Sequence, residues 1–102
     1  MTKMMSFGMS IDEGRIYYQK ALAGYEELSE ICKDAFASSL ADTHLSYAKL
    51  LIKADDFASA SIHCRKAIDL YTALEKQASA VYHDNLTEAY GTYVAIQKSV
   101  DK

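Results

Sequence analysis

The chain has 102 residues, of which half are hydrophobic and a quarter are charged, and its formal net charge at pH 7 is -3. This length and composition are typical of one soluble globular domain with a modest core. The basic residues are scattered, so the clustered positive charge of a nucleic-acid-binding protein is absent from the sequence. No apolar run approaches the length of a membrane-spanning helix. These features predict neither a nucleic-acid nor a membrane partner.

Residues 1–9 contain one lysine and no long apolar block. We interpret them as an N-terminal tail rather than a secretion signal, and residues 10–100 as a single helical domain. A cytoplasmic location is therefore expected. The two cysteines, Cys32 and Cys64, are expected to be reduced thiols that pack in the core, with a redox pair as the alternative.

Ser10 and Glu13 have the spacing of a capping box, in which each side chain accepts a hydrogen bond from the backbone N–H of the other residue. This box predicts a first helix over residues 11–33. The pattern of apolar residues predicts a second helix from residue 34 or 35 to residue 54. A later start, with residues 34–39 as a linker, is the alternative.

The pair Asp55-Asp56 is the sharpest break in the sequence, and Asp56 is a suitable cap for a third helix over residues 57–77. A fourth helix is predicted over residues 79–99. No segment alternates with the two-residue period of a strand over a useful length. The sequence therefore predicts an all-α fold with four antiparallel helices arranged as helical hairpins.

Two internal repeats relate these helices to one another. A displacement of forty-six residues places the first helix on the third, and a displacement of forty-three residues places the second on the fourth. Matching positions are Ile16 with Ile62, Ala21 with Ala67, Tyr25 with Tyr71, Tyr47 with Tyr90 and Ala48 with Gly91. Two kinds of helix thus alternate along the chain.

Small residues match in both repeats, as Gly14 with Ala60 and Ala48 with Gly91 show. Small side chains let two helix backbones approach closely, and glycine inside a helix costs roughly 1 kcal/mol relative to alanine. We therefore predict close helix crossings at both glycines and at the matched pair Ala21 and Ala67. A frayed first turn is the alternative explanation for Gly14.

The segment 41–70 has small residues at Ala48, Ala60 and Ala67, and Phe57 follows its acidic turn. In these features it resembles a tetratricopeptide repeat of an extended type, and the resemblance covers residues 10–98. The segment departs from the family where His44 stands at the position of a large aromatic residue. The chain also has none of the prolines that often close these repeats.

The resemblance implies a protein-interaction module that binds a peptide or helix of a partner on the concave face formed by the first helix of each pair. Carried onto this sequence, that face includes Asp42, Leu45, Ser46, Lys49, Ile52, Lys53, Asn85, Glu88, Ala89 and Thr92. The predicted partner-binding residues among them are Leu45, Lys49, Ile52, Lys53, Glu88 and Thr92.

A self-assembling structural or regulatory protein without a peptide ligand is the alternative function. The fourth helix carries two apolar stripes, which four helices cover only in part. We therefore predict that this helix joins a second copy, most simply in a two-fold dimer, with a monomer capped by the tail as the alternative. The predicted interface residues are Tyr82, Leu86, Tyr90, Tyr93 and Ile96.

The sequence carries no convincing catalytic or metal-binding motif. His63 and Cys64 are adjacent, so they point to different sides of a helix, and no histidine has a second ligand three or four residues away. The carboxylates of Glu26 and Glu27 are adjacent as expected for a solvated helix face, and no glycine-rich phosphate loop is present. We predict that the chain is not an enzyme and uses no cofactor or metal.

Overall fold

In a computed structural model, the described residues, 10–31 and 33–100, form four α-helices. The helices are α1 (Ile11–Ile31), α2 (Lys33–Lys53), α3 (Phe57–Gln77) and α4 (Ser79–Val100). These two stretches contain no strand, so the predicted all-α fold is confirmed. Residues 34–39 belong to α2, and the linker alternative is therefore wrong. The predicted tail and Cys32 lie outside the described residues.

The predicted capping box starts α1. The backbone N–H of Ser10 donates to Glu13 Oε1, and the backbone N–H of Glu13 donates to Ser10 Oγ, each over 3.1 Å. The bond from the Ser10 N–H holds the pKa of the Glu13 carboxyl below its usual value, because it stabilises the charged form. Two of the donors that a helix start leaves unpaired are thus satisfied.

The turn between α2 and α3 stops one helix and starts the next within three residues. Asp55 has a φ of 60°, in the left-handed region. Its N–H bonds to Ile52 O over 3.0 Å, and the N–H of Asp56 bonds to Leu51 O over 2.9 Å, which is the Schellman pattern of a helix C-terminus. Asp56 Oδ1 then accepts a bond from the Ser59 N–H and caps α3, as predicted.

The helices pack in a row in chain order, with α1 against α2, α2 against α3 and α3 against α4. A smaller direct contact joins α2 to α4. Contacts between the start of one helix and the end of the next, such as Gly14 with Leu50, show that neighbours run antiparallel. The helices α1 and α4 are therefore the two ends of the row.

Residues with little side chain occupy the close crossings of this row. Five alanines have no exposed surface: Ala41, Ala48, Ala60, Ala67 and Ala89. A Cβ atom added to Gly14 would lie 2.7 Å from Leu50 Cδ2, so the predicted close crossing at Gly14 is confirmed. The prediction for Gly91 is wrong, because no described residue outside the surrounding backbone of α4 lies within 4 Å of the place where its Cβ would be.

Burial differs between repeat-related positions at the ends and in the middle of the row. Ala67 has no exposed surface, whereas its counterpart Ala21 is only partly buried. The reason is that α3 lies between two helices, while among the described helices α1 packs against α2 alone. Repeat position therefore does not fix burial by itself.

We expect Ala67→Leu to lower the free energy of unfolding by about 1–3 kcal/mol, because the added atoms have no space between α2, α3 and α4. The matched change Ala21→Leu meets an open cleft, and we expect less than about 1 kcal/mol. Urea denaturation followed by circular dichroism measures both. Equal losses in the two variants would contradict the difference in packing.

We expect Asp55→Gly to raise the free energy of unfolding by about 1 kcal/mol, because glycine adopts the left-handed backbone without a Cβ clash. Asp55→Val should lower it, since a β-branched residue is poorly suited to a positive φ. Thermal and urea denaturation test both variants. A glycine variant less stable than the parent would show that the Asp55 side chain stabilises the turn.

Candidate interaction cleft

An open cleft separates the exposed sides of α1 and α2, and we call it the α1–α2 cleft. Its first part has a volume of about 240 Å³ and is lined by Tyr17, Tyr18, Ala21, Tyr25, Asp42, Thr43 and Ser46. A second part of about 250 Å³ is lined by Tyr18, Ser46, Lys49, Leu50 and Lys53. Because the two parts share Tyr18 and Ser46, they form one continuous surface along α2.

Helical spacing brings the lining residues together. On α1, Tyr18, Ala21 and Tyr25 recur at intervals of three and four residues, and on α2, Asp42 and Ser46 are four residues apart. Each set therefore lies on one side of its helix. The antiparallel packing of α1 on α2 places the two sets along opposite walls.

Aromatic stacking holds the α1 wall in place. Tyr18 stacks on Tyr47 of α2 with 5.5 Å between ring centroids and 19° between ring planes. Tyr17 meets Tyr18 edge to face at 5.2 Å. Gln19 Nε2 donates to the Tyr47 hydroxyl over 3.3 Å. Tyr17 nevertheless keeps 56% of its surface exposed, so its ring is available at the cleft mouth.

A tyrosine of α3 reaches between α2 and α4. The Tyr71 hydroxyl donates to Asp42 Oδ1, and the Asn85 side chain interacts with the same hydroxyl. Burial, together with the bond to Asp42, raises the pKa of the Tyr71 phenol above its ordinary value. The hydroxyl therefore stays protonated and remains a donor.

An ion pair bridges the exposed edges of α2 and α4, where Lys49 Nζ contacts Glu88 Oε2. Both side chains are about half exposed, so the pair contributes at most about 1 kcal/mol to stability. Its main consequence is electrostatic, since Glu88 neutralises Lys49. Lys53 has no carboxylate within ion-pair distance among residues 10–31 and 33–100.

The structure separates the predicted partner-binding residues into exposed and buried positions. Lys49, Lys53 and Glu88 are exposed, and Thr92 is partly buried. Leu45 is only 5% exposed and Ile52 is partly buried, and Ala89, which lay on the predicted concave face, has no exposed surface, so Leu45 and Ala89 are not accessible to a partner in this structure. Leu45 and Ala89 belong to the hydrophobic core of the chain, and Ile52 packs against it.

The predicted interface on α4 needs a similar correction. Leu86 is 9% exposed and Ile96 is 1% exposed, because both belong to the core of the chain itself. Tyr82 and Tyr93 pack partly against that core. Only Tyr90, which is 50% exposed, lies well outside it.

Sequence reasoning missed most of the α1–α2 cleft. The α1 wall, formed by Tyr17, Tyr18 and Tyr25, was not among the predicted partner-binding residues. The available signal was the repeat, since Tyr25 matches Tyr71 and Tyr17 matches His63, and the second member of each pair is in contact with α2.

Two histidines meet at the α2–α3 contact. His44 Nδ1 and His63 Nδ1 are 3.0 Å apart, and the rings stack with centroids 5.2 Å apart. Burial lowers the pKa of His44 to about 4, with the neighbouring charges of His63 and Lys66 as smaller causes. Burial also lowers the pKa of His63, although Glu26 opposes this shift. One Nδ1 donates and the other accepts, so the bond is lost once both rings are protonated.

This pair predicts acid destabilisation. An unfolded histidine has a pKa of about 6.5, so the unfolded chain takes up protons that the folded chain rejects as pH falls from about 6.5 toward 4. Stability is full above that window and falls by up to about 3 kcal/mol through it for His44. Urea denaturation across this pH range should show a smaller fall in His44→Phe than in the parent.

His83→Gln is the matched control, because His83 is exposed and bonds Glu75 on the surface. It should keep the parental pH dependence. A parental slope in His44→Phe would show that the histidine pair does not cause the acid sensitivity.

The remaining reactive groups are consistent with packing roles. Burial raises the pKa of the Cys64 thiol to about 11, and its Sγ donates to Ala89 O over 3.3 Å. Within the described ranges, no three His, Cys, Asp or Glu side chains are placed to hold a metal ion together. No helix in this part of the chain is both long and apolar enough to cross a membrane.

The chain matches no protein-family model, and neither curated proteins nor solved structures gave a match. The resemblance to tetratricopeptide repeats thus rests on the chain's own residues and remains a prediction.

Proposed function

We propose that the chain is a protein-interaction module that binds a helix of a partner protein in the α1–α2 cleft. The observation that carries the proposal is that this cleft repeats a surface that is covered elsewhere in the same chain. In the second half of the molecule, the repeat-related surface of α3 and α4 receives α2. We call this surface the α3–α4 groove. The cleft is therefore the open counterpart of a groove that a helix occupies.

The correspondence covers the first part of the cleft residue by residue. The lining residues of α1 match His63, Cys64, Ala67 and Tyr71, and those of α2 match Asn85, Leu86 and Ala89. Five of these seven counterparts are buried: Cys64, Ala67, Tyr71, Leu86 and Ala89. A helix like α2 thus has the shape that the cleft accepts.

The α3–α4 groove also indicates the chemistry of the partner helix. The helix α2 enters it with Ala41 and Ala48, seven residues apart and fully buried, and with Asp42 accepting from Tyr71. A partner helix for the cleft should present small residues two turns apart and an acceptor for the Tyr25 hydroxyl. This is recognition of a helix in a groove.

The cleft is more polar than its occupied counterpart, which favours reversible binding. Ser46 matches Ala89, Thr43 matches Leu86, and Lys53 matches Ile96. These polar groups remain hydrated when the cleft is open, and an acidic residue on the partner would suit Lys53. An enclosed, mainly apolar pocket for a small molecule has the opposite character.

Membership of the tetratricopeptide repeat family is part of the proposal. It is supported by the small residues of the segment 41–70, by the packing of the helices in chain order and by the open α1–α2 cleft. Helical hairpin repeats of this kind bury each apolar face on a neighbouring repeat. A cleft that the described residues leave uncovered, such as the α1–α2 cleft, is therefore a natural binding surface.

A synthetic peptide with the sequence of residues 40–53, stapled on its solvent side to hold it helical, is a direct probe. We expect saturable binding of the fluorescently labelled peptide to the unlabelled chain, measured by fluorescence anisotropy. Ser46→Arg should weaken binding at least about tenfold, because a bulky charge then lies in the cleft. Ser99→Arg, the same change at an exposed site on α4, should have no effect.

A second form of the peptide tests the helix-crossing geometry. Leucine in place of Ala48 should abolish binding, since α2 is fully buried at that residue. A chain that does not bind the parental peptide, or binds it equally after Ser46→Arg, would contradict the proposed function.

A further inference from the structure

One face of α4 has no helix against it among residues 10–31 and 33–100, and we call it the α4 free face. Tyr90 and Val94 are 50% and 49% exposed, and Thr87, one turn earlier on the same side of α4, is also exposed. Gly91 lies among them, and apart from the surrounding backbone of α4 no described residue lies within 4 Å of the position that a Cβ would take there. The face combines apolar side chains with a residue that permits close backbone approach.

The repeat identifies what this face matches. The displacement of forty-three residues places His44 on Thr87, Ala48 on Gly91 and Leu51 on Val94. In α2 these three residues are buried, and His44 contacts α3 directly. The α4 free face is therefore the counterpart of the α2 face that packs against α3.

The helix α1 carries the complementary face. The displacement of forty-six residues places Tyr17 on His63 and Gly24 on Leu70. In α3, His63 is the residue that contacts α2. In α1, Tyr17 is 56% exposed, and a Cβ on Gly24 would meet no described residue within 4 Å other than the surrounding backbone of α1.

We propose that α4 of one copy docks in the α1–α2 cleft of a second copy, so that chains associate head to tail. This inference rests on the proposed helix-binding function and names the helix that is bound. The new contact between α4 of one copy and α1 of the next has the same arrangement as the contact between α2 and α3 within a chain. It extends the row of helices from one copy into the next. A contact between two different surfaces leaves one of each free, so association extends beyond a dimer unless it closes into a ring.

The side-chain contacts of the α2–α3 interface transfer to compatible pairs. The bond from Tyr71 to Asp42 becomes a bond from Tyr25 of one copy to Asn85 of the other. The ring contact of Tyr47 with His63 becomes a contact of Tyr90 with Tyr17. Each transferred pair keeps a donor with an acceptor or a ring with a ring.

The same geometry argues against a two-fold dimer through α4. In such a dimer the α4 free face would meet itself, and the open cleft on α1 and α2 would remain uncovered. Head-to-tail docking covers both surfaces with one contact. Asp84 stands where α2 has Ala41, so the new interface is more polar at its edge than the internal one, and we expect exchange between monomer and oligomer.

The experiment uses two matched substitutions in the full chain. Gly91→Arg blocks the α4 free face and Gly24→Arg blocks the α1 face, and both replace an exposed helical glycine, so neither should unfold the monomer. Ala23→Arg, at the neighbouring exposed residue of α1, is the control for charge. Circular dichroism verifies that each variant is folded.

Sedimentation velocity from the low to the high micromolar range measures the outcome. We expect the average mass of the wild type and of Ala23→Arg to rise with concentration, and each blocked variant to stay monomeric. An equimolar mixture of Gly91→Arg and Gly24→Arg should form a heterodimer that does not grow, because each partner retains the surface that the other has lost.

Three results would overturn the inference. They are a wild-type chain that stays monomeric throughout, a Gly24→Arg variant that associates like the wild type, and a mixture that forms no heterodimer. A two-fold dimer through α4 would give the last two results together. A monomeric chain that still binds the helical peptide of residues 40–53 would overturn self-association while leaving the proposed function intact.

Discussion

The close approach of α2, α3 and α4 through residues with almost no side chain is the constraint on which the structure depends. Ala48, Ala60 and Ala67 have no exposed surface, and any larger residue there would force the helices apart. Larger side chains such as Tyr71 and Leu51 then fill the space beside the crossings. Because the helices form a row, each one depends on its immediate neighbours for burial.

Local signals in the sequence were sufficient to predict the start of α1 and the turn that separates α2 from α3, whereas α1 ends at Ile31 and not at the expected residue 33. The capping box at Ser10 and the turn at Asp55 and Asp56 act through backbone hydrogen bonds within a few residues, so they require no knowledge of the rest of the fold. Helical spacing likewise predicted the buried side of α3. Burial at the ends of the row was not predictable in this way. Gly91 matches the buried Ala48 but is exposed, because burial depends on a neighbouring helix that α4 lacks on that side.

The same distinction explains which parts of the candidate site were predicted. Carrying over the concave face of a repeat family selected Lys49 and Glu88, which are exposed, but also Leu45, which lies in the core. The α1 wall of the cleft was missed, because the repeat made Tyr25 look like a packing residue and Tyr17 lies outside the concave face that was carried over. Their exposure follows from the absence of a further helix against α1 within the described residues.

The polarity of the two uncovered surfaces is unequal, and this inequality bears on how the chain associates. In the cleft, Ser46 and Lys53 stand where the covered surface has Ala89 and Ile96, whereas the α4 free face retains Tyr90 and Val94. A hydrated cleft costs little when empty, but an exposed apolar helix face gains free energy whenever it is covered. In the proposed docking, the α4 free face therefore supplies most of the driving force. The polar cleft supplies the selectivity, because only a helix that offers an acceptor to Tyr25 and small residues at the crossing compensates for its desolvation.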